Sequence, residues 1–101
     1  MIIYNVTSKV DRNIAEEWLK WLHDEHIPQV FQSGCFVKYQ LVKLVDAEEL
    51  DSVTYATQYY AETQQNIDRY LDEHAKELRE KGFKRWGNSF IAFSTIMEVI
   101  N

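Results

Sequence analysis

Two stretches with helical apolar spacing, each set between runs of β-branched and aromatic residues, most narrowly limit what this chain can fold into. Residues 2–9 (Ile-Ile-Tyr-Asn-Val-Thr-Ser-Lys), 35–46, 52–61 and 89–100 read as strands, and an acidic turn around Ala47 to Asp51 joins the middle two as a hairpin. The first helix runs from about 13 to 26, with Asp11 or Asn13 available as its cap. The second starts at a Thr63 cap and runs to about Lys81 with the stripe Ile67, Leu71, His74 and Leu78, and Gly82 is read as its stop. The order is therefore β-α-β-β-α-β. Right-handed crossovers fold it into a four-stranded antiparallel sheet of spatial order 4-1-3-2 with both helices on one face, a ferredoxin-like α+β sandwich. With 101 residues, of which 46% are hydrophobic, the chain closes one core, so residues 1–101 are read as a single domain.

Within the first helix, the segment Trp18 to Pro28 has an unusual wheel. At about 100° per residue, Ile14, Ala15, Trp18, Leu19 and Leu22 sweep one arc, and Glu25 and His26 fall inside it. A helix that only needed to pack would carry leucine there. Pro28 has no amide hydrogen and restricts its predecessor, so the helix is expected to be disturbed near Ile27, with a short turn to Phe31 before the Ser33-Gly34 break. His26 is read as a buried histidine satisfied by a carboxylate or backbone carbonyl, or else as an acid or base. His74, central on the second apolar stripe, has the same two readings. The antiparallel helices separate these two histidines by roughly 15 Å, ten residues at a helical rise, so they are not expected to share a site. His23 and His26 stand three apart, but the spacing is not that of His-Glu-x-x-His and the two point to different sides of the wheel. No metal site is predicted, and no motif implies a cofactor.

A net charge of −5 opposes attraction to phosphate backbones or anionic lipid, so neither nucleic acid nor membrane is expected as a partner. Cys35 is the only cysteine and reads as a small buried hydrophobe. The chain opens directly on a strand pattern, without a basic leader or long apolar run, which predicts a cytoplasmic protein. The basic group Arg79, Lys81, Lys84 and Arg85 complements the end of the second helix, with local anion binding as a lesser reading.

Strand alternation assigns Ile2, Tyr4, Val6, Val37, Tyr39, Leu41, Val53, Tyr55, Ile91, Phe93, Met97 and Val99 to the helix side. The other set includes Ile3, Asn5, Phe36, Gln40, Val42, Ala56, Gln58, Phe90, Ala92, Ser94 and Ile96. That face is too apolar for water and too polar for a dry core, so a homodimer packed sheet on sheet is predicted. Asn5, Gln40, Gln58 and Ser94 would need partners there, and are the candidate contacts for a small, partly apolar ligand between the sheets.

The opening Met-Ile-Ile-Tyr-Asn-Val-Thr, the segment Glu17-Trp18-Leu19, the tract Glu25-His26-Ile27-Pro28 and the late Leu78-Arg79-Glu80 resemble a bacterial family known only as a domain of unknown function. The resemblance spans nearly the whole chain. It implies a dimeric α+β barrel, an architecture shared with antibiotic-biosynthesis-type monooxygenases, muconolactone-isomerase-like proteins and stress-responsive barrel proteins. Haem-degrading members of that group use a strand-one asparagine with a tryptophan and a histidine on the second helix. Asn5 and His74 match loosely, but helix two carries Tyr70 in place of a tryptophan. The expectation is a small dimeric barrel protein binding a small molecule. The alternatives are a cofactor-independent monooxygenase or isomerase using His26 or His74, and a structural or regulatory interaction module.

Overall fold

Strand β1 (Ile2–Asp11) is the hub of the sheet in the computed structural model of the protein, which describes residues 1–46 and 49–101. It pairs antiparallel with β3 (Ser52–Ala61) on one side and β4 (Phe90–Glu98) on the other, and β3 in turn pairs with β2 (Lys38–Lys43). The resulting order β2-β3-β1-β4 is the predicted 4-1-3-2 read from the opposite edge. Arg12 then ties down the approach to β3, donating to the backbone carbonyls of Glu49 (2.7 Å), Leu50 (2.9 Å) and Ser52 (3.2 Å). The predicted acidic turn lies partly outside the described residues, at Ala47 and Glu48; its Glu49 is exposed and 3.1 Å from Lys9 Nζ.

Asp11 ends β1 without capping a helix, and a single 3₁₀ turn at Arg12–Ile14 leads into α1 (Ala15–Trp21). The disturbance expected from Pro28 takes a different form from a break. The helix widens into one π turn, Leu22–His26, and then continues as α2 (Ile27–Gln32) with Pro28 in its first turn. In an α-helix the Pro28 ring would collide with the carbonyl of Asp24; opening the turn by one residue moves that carbonyl away. The inward arc shifts with it. Ile27, five residues after Leu22, takes the buried position, and Glu25, expected inside, is exposed. Gly34, with φ +73°, closes the helical stretch.

The second helical stretch begins as predicted, with Thr63 Oγ1 accepting from the Asn66 amide at 3.2 Å. It breaks at His74, whose φ of −128° separates α3 (Gln64–Glu73) from α4 (Ala75–Trp86). Gly82 is not the stop. It sits inside α4 beneath Trp21, and Gly87, with φ +57°, follows the last helical residue, Trp86, five residues past the predicted end at Lys81. Position 82 therefore packs against the indole and reverses no chain.

The faces also differ from the alternation read above. Pairing of Val10 with Phe90 and Tyr4 with Ile96 places Phe90, Ala92, Ser94, Ile96 and Glu98 on the helix side and Ile91, Phe93 and Met97 on the open side, the reverse of the expectation. β4 is apolar at both parities, so its own pattern could not choose a face. β2 starts later than predicted, at Lys38. Phe36, assigned to the open face, instead stands before the ladder and packs on Tyr70 (5.1 Å between ring centroids), Tyr59 (5.4 Å) and Tyr4 (6.2 Å); Val37, assigned to the helix side, is exposed. Such ring pairs each add about 0.5–1.5 kcal/mol beyond area burial. At the other end of the core, Trp18 is 1% exposed and stacks on Tyr55 at 5.8 Å.

The two late glycines are expected to respond in opposite directions. At Gly82 an added methyl meets Trp21 Cη2 at 3.4 Å, an ordinary contact, so Gly82→Ala stabilises by roughly 0.5–1 kcal/mol through helix propensity. Gly87→Ala forces an L residue to positive φ and costs roughly 1–3 kcal/mol. Urea unfolding midpoints of the two variants check both signs.

Candidate functional site

Where β4 leaves the cover of the helices, a cleft of about 250 Å³ opens between the sheet and α4. Tyr4, Val6, Tyr59, Ala92 and Ser94 form its floor, His26 and Tyr70 its sides, and Ala75, Leu78 and Arg79 of α4 its rim, with Phe93 at the β4 edge. An inner chamber of about 100 Å³ continues from it beneath Trp18, Trp21, Leu22 and Gly82, with the Ser8 and Thr57 hydroxyl groups in its wall; Val6, His26, Tyr59, Leu78, Arg79 and Ala92 line both spaces. This cleft and its chamber therefore lie on the helix side of the sheet.

The widened turn delivers His26 to this place. Its ring lies 5.0 Å from that of Trp21, and no carboxylate or carbonyl among the described residues hydrogen-bonds it, contrary to the satisfied-histidine reading. Removal from water lowers its pKa from 6.5 to about 4, so the imidazole is neutral at physiological pH. The charged and titratable groups facing it are Arg79 from α4, Tyr70 from α3, Tyr4 from β1 and Tyr59 from β3. Burial pushes the Tyr59 and Tyr70 phenols up, and the neighbouring tyrosines add to this; Arg79 pulls Tyr70 partly back. Both stay protonated, as donors. Trp18 Nε1, in the chamber wall, is buried without a hydrogen-bond partner among the described residues.

The other predicted residues are dispersed. His74 stacks on Tyr70 at 6.2 Å and lines a separate surface cleft of about 260 Å³ with Gln29, Gln32, Ser33, Glu77 and Lys81, so Leu78 stands between the two histidines. His23 is exposed, 3.0 Å from Asp24, and does not face the cleft of His26. Asn5, Gln58 and Gln40 make one cross-strand row on the open face, where Asn5 Nδ2 donates to Thr7 Oγ1 at 3.0 Å and Asn5 Oδ1 is buried without a partner among the described residues. Ser94, grouped with them from sequence, projects to the opposite side into the cleft. Tyr59 is not among the residues the sequence points to, Tyr70 enters there only as a departure from the haem-degrading pattern, and Arg79 as a candidate contact only within the basic group at the end of the second helix. The signal available was faint: Tyr70 lies one turn before His74, and Arg79 directly follows the buried Leu78.

Residues 1–100 match the family described as Domain of unknown function (DUF4286), and the chain belongs to it. A search among curated proteins finds no match. Solved structures agree in fold. A dimeric ferredoxin-like protein from an uncultured marine organism superposes with a TM-score of 0.69 at 13% identity, covering 100% of this chain and 96% of that one. An ethyl tert-butyl ether d (ethd) family protein from Bacillus halodurans gives 0.67 at 12% identity, covering 99% and 100%. SnoaB from Streptomyces nogalater, described as a cofactor-independent oxygenase, gives 0.64 at 9% identity, covering 99% and 94%. These likenesses establish the ferredoxin-like α+β fold. No helix among the described residues is long and apolar enough to cross a membrane.

Because the folded-state pKa of His26 lies below 6.5, the unfolded chain binds the extra proton between pH 6.5 and about 4. The stabilisation is complete above that window and is lost as pH falls through it. Between pH 7 and pH 5 the protein is expected to lose roughly 2 kcal/mol more than its His26→Gln variant, as read by urea unfolding at the two pH values.

Proposed function

We propose that this protein is a homodimer, packed sheet on sheet, that binds a small, partly apolar molecule in the cleft between sheet and helices. The observation that carries the ligand reading is an aromatic-walled cleft holding a neutral imidazole that no protein group occupies. Such a mixture of apolar wall and a few convergent polar groups is the ordinary make-up of small-molecule sites. Ser94 is assigned to the ligand from the floor. The dimer reading rests on the open face, where Ile91 is 70% and Phe93 66% exposed beside Ile3 and Met97. A patch of this kind is costly to leave in water. The row Asn5, Gln58 and Gln40 becomes the polar centre of that interface, with Asn5 Oδ1 accepting from the partner. The lone buried Cys35 and the acidic balance suit a cytoplasmic setting.

A second reading is enzymatic. Neutral His26 is in the protonation state of a general base, and it faces a space large enough for a small aromatic compound. In this reading the imidazole takes one proton from the bound molecule and returns it later, while His74, in its own cleft, takes no part. Likeness in fold to a cofactor-independent oxygenase is compatible with this reading.

Sedimentation is expected to give a species of twice the 12.0 kDa chain mass at micromolar concentration, and the double change Ile91→Lys, Phe93→Lys to halve it; a monomeric parent would refute the dimer. For the ligand, amide spectra recorded with a panel of small aromatic compounds are expected to move at His26, Ala92 and Ser94, and His26→Trp, which fills the cleft, to weaken binding at least about tenfold. Shifts confined to Asn5, Gln40 and Gln58 would return the site to the space between sheets. Product formation in the same samples, lost in His26→Ala and kept in His74→Ala, is the mark of the enzymatic reading.

A further inference from the structure

The cleft is electrically one-sided. Although Asp and Glu outnumber Lys and Arg by 16 to 11 in the chain, no carboxylate lines either the cleft or its inner chamber, and Arg79 is the one formally charged residue in both. Arg79 has no hydrogen-bond or ion-pair partner among the described residues. Arg79 is exposed at the rim of the cleft, and its charge is felt by the Tyr70 phenol in the cleft wall, so the guanidinium stands at the mouth beside the aromatic surface. Neutral His26 adds no second cation. The remaining wall is ring surface from Tyr4, Tyr59 and Tyr70.

We infer that the molecule bound in this cleft is a flat aromatic carboxylate, its ring against the tyrosine wall and its carboxylate on Arg79. This rests on the cleft being the ligand site. A guanidinium presents a planar fork that matches a carboxylate with two parallel hydrogen bonds, and near an apolar wall the pair is less screened than at an open surface. An aromatic body is favoured over an aliphatic one of equal length because the tyrosine rings offer extended faces and edges for offset contacts. A cationic ligand would meet Arg79 unopposed. In a chain of net charge −5, long-range attraction does not draw anions in, so the recognition is local and the association rate should depend little on salt.

The test compares 2-naphthoate with its neutral isostere 2-naphthamide, by titration followed through tryptophan fluorescence and amide spectra on the intact protein. The carboxylate is expected to bind at least about tenfold more tightly, Arg79→Gln to abolish that preference, so that acid and amide bind alike, and Arg79→Lys to retain part of it. Far-ultraviolet circular dichroism of each variant checks that α4 is intact, and the Lys variant keeps the comparison valid if the Gln variant is not. Equal binding of acid and amide, with cleft signals moving in both, overturns the carboxylate inference and leaves the ligand cleft standing. Failure of both compounds, and of the wider aromatic panel, to move His26, Ala92 or Ser94 overturns the cleft reading itself.

Discussion

Proline at position 28 cannot donate to the carbonyl of Asp24, and its ring has no room against that carbonyl in a regular helix. The one-residue expansion at Leu22–His26 relieves both problems without ending the helix. Much of the molecule's asymmetry follows. With the expansion, Ile27 rather than Glu25 packs beneath the helix, and His26 turns toward the sheet beside Trp21. A regular helix through the same residues would spend that inward position on a carboxylate, which burial would penalise heavily. The π turn thus removes a conflict in the sequence and leaves an imidazole, which tolerates burial by staying neutral.

The aromatic residues do the rest of the shaping. Tyr4, Phe36, Tyr59 and Tyr70 pack together at one end and Trp18, Trp21, Trp86, Tyr55 and Phe90 at the other, with the cleft between and beside them. Large rigid rings fill volume well where their faces match and leave space where they do not. On the helix side of β4, Ala92 and Ser94 are too small to fill the gap that the rings leave, so the edge strand stays uncovered there. On its other side β4 shows Ile91 and Phe93 to the open face. Both unfinished surfaces therefore meet at one strand.

The electrostatics follow burial more than composition. An acidic chain places its carboxylates where water can solvate them, on α3, on α4 and in the connection before β3, and the interior spaces are left with phenols, hydroxyl groups and a neutral imidazole. Arg79 reaches the cleft because its long apolar stem can lie along Leu78 and the ring wall while its head stays at the mouth.

The succession of periods along the chain was enough to determine the element order, the antiparallel sheet order and the Thr63 cap, because each rests on local spacing and on the handedness of connections. The inward turn of His26 was legible as well, and so was the presence of a greasy open face. Only the tertiary structure decided which residues make that face and where the cavity lies. β4 is apolar at both parities, so its register came from pairing with β1 and reversed the side of Ser94; Gly82 is a contact and Gly87 the stop because Trp21, far away in sequence, lies over the first of them. Tyr59, Tyr70 and Arg79 look like ordinary strand and helix residues one by one. Their convergence on His26 depends on contacts between elements distant in the chain, and no local spacing encodes those.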